Sequence, residues 1–245
     1  MAVGRNGSAG VRRIRLLGGT CRLGLLAKTG LALAGLLTFL ALLAAWSSPA
    51  WAAPTYGSLR GPDRYGTAVA ISKAGFSSGV EAVVLAPGDG FAGALISAPL
   101  AKAYGGPLLL VPAAGMPEAV KGELARLAPG QVIVVGLGSD VVDQVKAVLP
   151  GVDPAMIVAI GGADAYEMSA SVAEAVKAKL GTVTGVVVAP GDSFPDGLAV
   201  APLAAAKGWP ILLTPADGPF PAVCSQAVID LDVTTGLEVG TYVDP

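Results

Sequence analysis

The sequence contains no histidine and only two cysteines, and these scarcities exclude several kinds of chemistry. Without histidine there can be no Ser-His-Asp or Cys-His catalytic arrangement and no histidine-ligated zinc site. Cys21 lies in a basic leader, which leaves Cys224 without a partner for a disulfide or a thiolate metal site. We therefore expect no metal, no cofactor, a fold stabilised by its core, and a buried Cys224 that acts as a small hydrophobic side chain.

Nucleotide-binding signatures are also missing. No G-x-G-x-x-G segment follows an apolar run of strand type, and G-x-x-x-x-G-K-[ST] does not occur. The sequence therefore offers no motif for binding a nucleotide or a dinucleotide.

The first 52 residues have the pattern of a secretory signal peptide. Residues 1–28 carry six basic side chains and no acidic one, residues 31–45 are apolar and uncharged, and Ala50-Trp51-Ala52 is a small-x-small cleavage signal. The apolar run is shorter than the roughly 20 residues that a membrane span needs, although an uncleaved anchor is the alternative. We predict cleavage after Ala52 and export of the remainder.

The chain that follows this leader is acidic. Without the leader's six basic residues, ten basic residues face 18 acidic ones. A net negative field does not favour general binding to nucleic acid or to an anionic membrane. We expect no nucleic-acid partner, and contact with the membrane only through the leader before cleavage. A polyanion would need a local site that acts against the net charge.

A repeat organises this acidic part. The segment Ala86-Pro87-Gly88-Asp89 returns 103 residues later as Ala189-Pro190-Gly191-Asp192, and the apolar runs on both sides return at the same offset. Self-similarity at a fixed period indicates a structural unit used more than once. We assign module one to residues 53–155 and module two to residues 156–245.

Short apolar runs rich in Val, Ile and Leu alternate with Ala-rich stretches of helical length. This alternation predicts an α/β fold of tandem modules, each a small, mostly parallel sheet of about four strands with helices on both faces. The predicted strands are 56–60, 80–85, 107–111, 131–135 and 156–160, the last opening module two. The predicted helices are 65–74, 117–127, 140–149 and an Ala-rich helix that ends near Tyr104.

Module two is shorter than module one. Asp140, which opens a helix in module one, corresponds to Asp244, which stands just before Pro245. We expect module two to lack its last helix and closing strand. The sheet edge or helix-docking surface exposed in this way would be covered by a further module or subunit, or else the chain is a truncated version of a longer protein.

Charged and aromatic residues cluster at the predicted start of the first helix. We expect Asp63 to cap that helix, and Arg64 to pair with a carboxylate or with an anionic ligand through its planar guanidinium group. Module two retains Asp164 and Tyr166, but Ala165 stands where module one has Arg64.

The repeated Gly-Asp loop carries the second group of candidates. Asp89 and Asp192 are placed to cap the Ala-rich helices that follow them. Module two adds Asp196, so two carboxylates four residues apart could also serve acid–base chemistry or a hard cation. Capping is the favoured interpretation, because module one lacks the second carboxylate and no nucleophile is evident nearby.

The ordered motifs resemble the cell-wall-binding repeat 2 (CWB2) family of Gram-positive surface proteins. The resemblance lies in Gly-x-Asp-Arg-Tyr-x-Thr-Ala at 61–68, Gly-Asp-x-Phe at 88–91, Pro-Leu-Leu-Leu at 107–110 and the Val-Val-Gly strand ending at 136. It implies modules of about 100 residues that hold an exported protein on the wall non-covalently by binding anionic polymers. Such modules usually come three in tandem and pack together, often beside a hydrolase or protease region.

The resemblance implies a non-catalytic protein of the cell wall or cell surface whose partner is an anionic wall glycopolymer. Wall or glycan hydrolysis by Asp192 and Asp196, and a structural role in a larger assembly, are the alternatives. With the nearby Arg60, the family signature gives the candidate polymer-binding residues Arg60, Asp63, Arg64, Tyr65, Thr67, Asp89, Phe91, Asp164, Tyr166, Asp192, Phe194 and Asp196.

Overall fold

The computed structural model describes residues 57–240, which contain two parallel α/β sheets. The predicted leader, Tyr56 and Asp244 lie outside the described residues. Within residues 57–240, no helix is both long enough and apolar enough to cross a membrane.

The first sheet has four parallel strands in the order β2-β1-β3-β4. Its strands are β1 (Ala82–Pro87), β2 (Leu108–Val111), β3 (Gln131–Val135) and β4 (Ile157–Ile160). The helices that precede or connect them are α1 (Arg64–Gly75), α2 (Ala92–Ala103), α3 (Glu118–Leu127) and α4 (Ser139–Val148), and a short 3-10 turn at Pro154–Met156 leads into β4.

The second sheet repeats this plan with three described strands in the order β6-β5-β7. Its elements in chain order are α5 (Ala165–Leu180), β5 (Gly185–Pro190), α6 (Phe194–Lys207), β6 (Ile211–Thr214), α7 (Ala222–Leu231) and β7 (Thr235–Glu238). The two sheets share the same arrangement of first, second and third strands, which confirms the α/β fold of repeated modules.

Both faces of each sheet are covered by helices. Along β1, Ala82 and Val84 join one hydrophobic cluster, whereas Val83 and Leu85 join another on the opposite face. All four side chains are fully buried. A strand buried on both faces must be apolar at every position, which explains the uninterrupted apolar run in the sequence.

The two modules share one continuous core. Helix α2 of module one packs against α5 and α6 of module two, and Ile96 and Leu100 lie in one cluster with Val172. Leu95 fills the space left by Gly197, where an added methyl group would come within 2.4 Å of a Leu95 methyl carbon. The modules are therefore packed together by close helix contacts and are not independent domains joined only by a linker.

One predicted strand is wrong. Residues 57–60 form no strand, whereas the matching segment of module two is β4. β4 pairs with β3, in the register Val132 with Ile157 through Val135 with Ile160. Among the described residues, no strand lies beside residues 57–60 as β3 lies beside β4. This segment therefore has no neighbouring strand with which to form hydrogen bonds.

The pairing of β4 also bears on how the repeat maps onto the fold. The sequence places β4 at the start of module two, yet its hydrogen-bond partner is β3 of the first sheet. The boundary between residues 155 and 156 describes the sequence repeat and remains a prediction as a domain boundary.

Cys224 is fully buried in α7, as the sequence led us to expect. Its Sγ lies 3.3 Å from the carbonyl oxygen of Leu213 and 3.8 Å from the Ser169 hydroxyl. Burial raises the pKa of the thiol above its ordinary value. Cys224 is therefore a packing residue whose thiol stays protonated at neutral pH.

Candidate functional site

The predicted site residues lie at the starts of α1 and α5 and in the segments that follow β1 and β5, so most of them gather where parallel strands end. In folds of this type, ligands bind beyond the carboxyl ends of the strands. Asp63 caps α1 by accepting a hydrogen bond from the Gly66 N–H at 2.7 Å. Asp164 caps α5 by accepting from the N–H groups of Tyr166 and Glu167 at 2.9 and 2.8 Å. The predicted capping role of Asp63 is confirmed.

Thr67 ties the turn before α1 together. Its hydroxyl donates to the Asp63 carbonyl at 2.8 Å and accepts from the Gly61 N–H at 3.1 Å. Gly61 approaches the helix backbone so closely that an added methyl group would lie 2.1 Å from the carbonyl carbon of Gly66. The Gly and Thr positions of the motif therefore fix the path of the chain into α1.

Asp89 does not cap α2, which corrects the sequence-based prediction. One carboxylate oxygen accepts from the Tyr65 hydroxyl at 2.7 Å, and the other accepts from the Ala113 N–H at 2.6 Å. The residue at the N-terminal boundary of α2 is Phe91, and no side chain caps the helix there. Asp89 instead links the start of α1 with the loops that follow β1 and β2.

Module two repeats part of this link. Asp192 accepts from the Ala216 N–H at 3.3 Å, and Ala216 stands at the position equivalent to Ala113. Asp192 is not the cap of α6 either, because that helix begins after Ser193 without a side-chain cap. The same aspartate therefore anchors the loop beyond the neighbouring strand in both modules.

Ala113 and Ala216 are not among the site residues predicted from the sequence. The signal that could have found them is their position, because each follows a proline at the end of the Leu-rich strand, at the same offset as the rest of the repeat.

The tyrosine and glycine positions of the two motifs fit each other. A methyl group on Gly88 would lie 2.4 Å from a ring carbon of Tyr65, and one on Gly191 would lie 3.0 Å from the corresponding atom of Tyr166. Each tyrosine ring thus occupies the space beside a loop glycine. This contact explains why both motifs recur together in the two modules.

The hydrogen bonds around Asp89 set the protonation of the site. The Ala113 N–H, followed by the Tyr65 hydroxyl, holds the pKa of the Asp89 carboxyl below its ordinary value. The same bond to Asp89 raises the pKa of the Tyr65 hydroxyl. In module two, burial and then the nearby Asp192 raise the pKa of Tyr166. At neutral pH the site therefore presents a carboxylate and protonated phenols.

The two candidate cations differ in how they are held. Arg64 donates from Nη1 to the Gly88 carbonyl oxygen at 2.7 Å, so it braces the Gly-Asp loop. Its guanidinium group has further N–H donors, and the residue is exposed. Arg60 lies in the exposed segment before α1. Ala165 cannot brace the loop of module two in this way.

The two phenylalanines are placed together but serve the contact between modules. The rings of Phe91 and Phe194 lie 6.0 Å apart at an interplanar angle of 55°. Each residue begins or precedes one of the Ala-rich helices, α2 and α6. They form an aromatic pair across the module junction.

Asp192 and Asp196 have different neighbours. Asp192 accepts from the loop after β6, whereas Asp196 lines a shallow depression with Leu203, Leu237 and Val239. Within residues 57–240, no group of three or more His, Cys, Asp or Glu side chains is arranged to hold a metal ion. The arrangement offers hydrogen-bonding groups for a polar ligand at both loop sites.

The two packed modules and their repeated loop site define a class of tandem-repeat α/β domain, and the sequence comparison gives the family. Residues 58–146 and 159–236 match the family model of cell wall binding domain 2 (CWB2). The match covers more than half of the chain, and the protein belongs to this family.

Two bacterial proteins illustrate the similarity in sequence. The chain is 35% identical over 158 residues to N-acetylmuramoyl-L-alanine amidase LytC of Bacillus subtilis (strain 168), covering 63% of this chain and 30% of that protein. It is 30% identical over 161 residues to the amidase enhancer of the same organism, covering 64% of this chain and 21% of that protein. The chain thus spans less than a third of the length of these relatives.

Solved structures show the same fold. Cwp6 from Clostridium difficile superimposes with a TM-score of 0.67 at 27% sequence identity, covering 78% of this chain and 31% of that one. Cwp8 from the same organism gives a TM-score of 0.63 at 26% identity, covering 75% and 30%. The family resemblance seen in the sequence motifs is confirmed, and with it a general role in binding the cell wall.

Proposed function

We propose that this protein is exported and attaches non-covalently to the cell wall by binding an anionic glycopolymer, without catalytic activity of its own. The observation that carries the proposal is the repeated loop site. In module one the aspartate after β1 is hydrogen-bonded to the loop after β2, and in module two the aspartate after β5 is hydrogen-bonded to the loop after β6. In both modules a tyrosine ring packs beside the glycine that precedes this aspartate. The family match supports the wall as the target.

The residues at the loop edge suit a polymer that carries both negative charges and hydroxyl groups. Arg60 and Arg64 would pair with phosphate or carboxylate groups, and the exposed carboxylates Asp89 and Asp192 would accept hydrogen bonds from sugar hydroxyls. Because the chain is acidic overall, each such contact is weak. Two modules on one chain would raise the effective concentration of the second site once the first is bound.

The boundaries of the leader and of the two modules along the sequence are part of the same proposal. We place signal cleavage after Ala52, module one at 53–155 and module two at 156–245. The exposed β7 edge is where a further module or subunit would pack. N-terminal sequencing of the exported protein tests the cleavage site, and a first residue other than Ala53 would correct it.

Co-sedimentation with purified Gram-positive cell walls tests the polymer-binding proposal. Arg64→Ala should reduce the bound fraction several-fold, whereas Lys73→Ala, which removes an exposed cation from the far end of the same helix, should not. Ala165→Arg should increase binding by supplying module two with the missing cation. Walls stripped of anionic polymer should bind little protein. Equal binding by all three variants and the parent chain would refute the proposed site.

We further propose that Asp192 and Asp196 have no catalytic role, because their carboxylates have separate surroundings. A zymogram of the mature protein in a gel containing cell walls should show no clearing. A cleared zone that Asp192→Asn abolishes would instead establish the hydrolase alternative.

A further inference from the structure

The loop that joins β2 to α3 is held by side chains from two other elements. Its Ala113 N–H donates to the carboxylate of Asp89, which follows β1, at 2.6 Å. Its Met116 N–H donates to Oε1 of Gln144, on α4, at 2.9 Å. Gln144 is not among the site residues predicted from the sequence, because 28 residues separate it from Met116 and only the fold brings the two together.

A tight turn connects the two held amides. The Gly115 N–H donates to the Pro112 carbonyl oxygen at 3.1 Å, which closes a turn of four residues. Gly115 has a φ of +115°, and a methyl group there would lie 3.0 Å from Nε2 of Gln144. Glycine is therefore needed both for the backbone conformation and for the approach of the Gln144 amide. Because the turn is short, fixing the Met116 amide also limits where the Ala113 amide can point.

Gln144 reaches the loop from a well-packed support. Val141 and Val145, its neighbours on α4, are 2% and 0% exposed and lie in the same hydrophobic cluster as Met116. Helix α4 and the end of the loop therefore share one core, and the hydrogen bond from Met116 to Gln144 gives their contact a fixed direction. By contrast, the Ala113 side chain is exposed and does not anchor the loop by packing.

We propose that Gln144 is a positioning residue of the loop site in module one. By holding the loop at Met116, it keeps the Ala113 N–H directed at Asp89, and the carboxylate stays aligned with the Tyr65 hydroxyl. Gln144 acts through the loop and not by contact with the polymer. Its importance for binding rests on the function proposed above, whereas its effect on Asp89 does not.

Nuclear magnetic resonance of the mature chain measures the effect on Asp89. Gln144→Met preserves the length of the side chain and removes the acceptor. It should raise the pKa of the Asp89 carboxyl towards its ordinary value, because the Ala113 N–H is the main group that lowers this pKa. The Tyr65 hydroxyl and Arg64, which also lower it, are left in place. An unchanged Asp89 pKa in a folded Gln144→Met chain would overturn the inference, and circular dichroism checks the folding.

Amide hydrogen exchange locates the effect in the loop. Exchange at Ala113 should become faster in Gln144→Met. It should stay as slow as in the parent chain in Gln144→Glu, whose carboxylate still accepts from the Met116 N–H. Exchange at Ala216, the corresponding amide of module two, should be unchanged in both variants. Equal acceleration at Ala113 and Ala216 would indicate a general loosening of the fold and would contradict a positioning role.

Co-sedimentation with purified Gram-positive cell walls tests whether binding depends on this loop. Gln144→Met should weaken binding roughly threefold to tenfold, the effect of one hydrogen bond. Gln226→Met is the matched control, because it removes an exposed glutamine of α7 whose amide donates to Asp230, and it should bind like the parent chain.

The two measurements separate this inference from the proposed function. If the parent chain binds walls and Gln144→Met binds them equally well, Gln144 does not position the site for binding, while the wall-binding proposal stands. If the parent chain does not bind, the proposed function fails, and the pKa of Asp89 still decides whether Gln144 positions the carboxylate.

Discussion

A buried carboxylate and its arginine partner join the C-terminal end of α1 to α3 in module one, and the loss of the arginine should be costly. Glu123 on α3 is 1% exposed. Its carboxylate accepts from the Ser72 hydroxyl of α1 at 2.6 Å and from Arg126 at 2.7 and 2.8 Å. Arg126 also donates to the Phe76 carbonyl at 3.0 Å, just after α1 ends. The group therefore joins two helices and the segment that leaves α1.

Replacing Arg126 by isoleucine would leave the Glu123 carboxylate buried with only Ser72 as a partner. Stranding one member of a buried ion pair costs about 3–5 kcal/mol, and we expect about 3 kcal/mol for Glu123 because the Arg126 side chain is 35% exposed. Module two has Ala227 and Asp230 at the equivalent positions, so its α7 does without this pair. The double change Glu123→Gln with Arg126→Ile should recover much of the loss, because it removes the buried charge together with its partner.

Urea denaturation followed by circular dichroism measures both effects, and the two variants with Glu123→Gln complete a double-mutant cycle. We expect strongly non-additive free energies of unfolding. If Arg126→Ile lowers the free energy of unfolding by less than about 1 kcal/mol, or if the double variant is as unstable as the sum of the single ones, the carboxylate is not dependent on its partner and the reasoning fails.

Two further outcomes follow from the loop site and the second sheet. Because its hydrogen bonds lower the pKa of Asp89 in the folded state, Asp89→Asn should reduce the melting temperature at neutral pH; the stabilising effect should disappear as the pH falls below the ordinary aspartate value of about 3.9. If the difference in melting temperature between the parent chain and Asp89→Asn persists unchanged at low pH, the negative charge of Asp89 does not cause the stabilisation. Gly185→Ala should destabilise by about 1–3 kcal/mol, since its methyl carbon would lie 2.4 Å from the Trp209 ring, whereas Gly236→Ala meets nothing within 4 Å and serves as the matched control. Equal unfolding midpoints for both glycine variants would contradict the packing argument.

Regular elements were predictable because their residues obey local rules. The strand at residues 131–135 is observed with the predicted bounds, and the helices α1, α3 and α4 lie within a residue or so of their predicted limits. Continuous β-branched runs demand burial on both faces, and the repeat supplies the same pattern twice. The fold class therefore followed from spacing and repetition, and the family followed from the resemblance of the motifs.

The roles of the loop residues were harder to predict. Asp89 precedes a helix, which favours capping by a local rule, yet its partners come from α1 and from the loop after β2. Those partners depend on which strand ends meet at the sheet edge, and sequence spacing does not encode that meeting. The strand expected before α1 failed for a related reason, because a segment becomes a strand only when a neighbouring edge accepts its hydrogen bonds.

The pairing of β4 with β3 has a mechanical consequence. The only covalent route from the first sheet to α5 runs along β4, which is held to β3 over residues 157–160. Pulling module two away from module one would load this parallel ladder, along with the packed contact of α2 with α5 and α6. The two modules should consequently bear tension as one body, with a fixed distance between their loop sites.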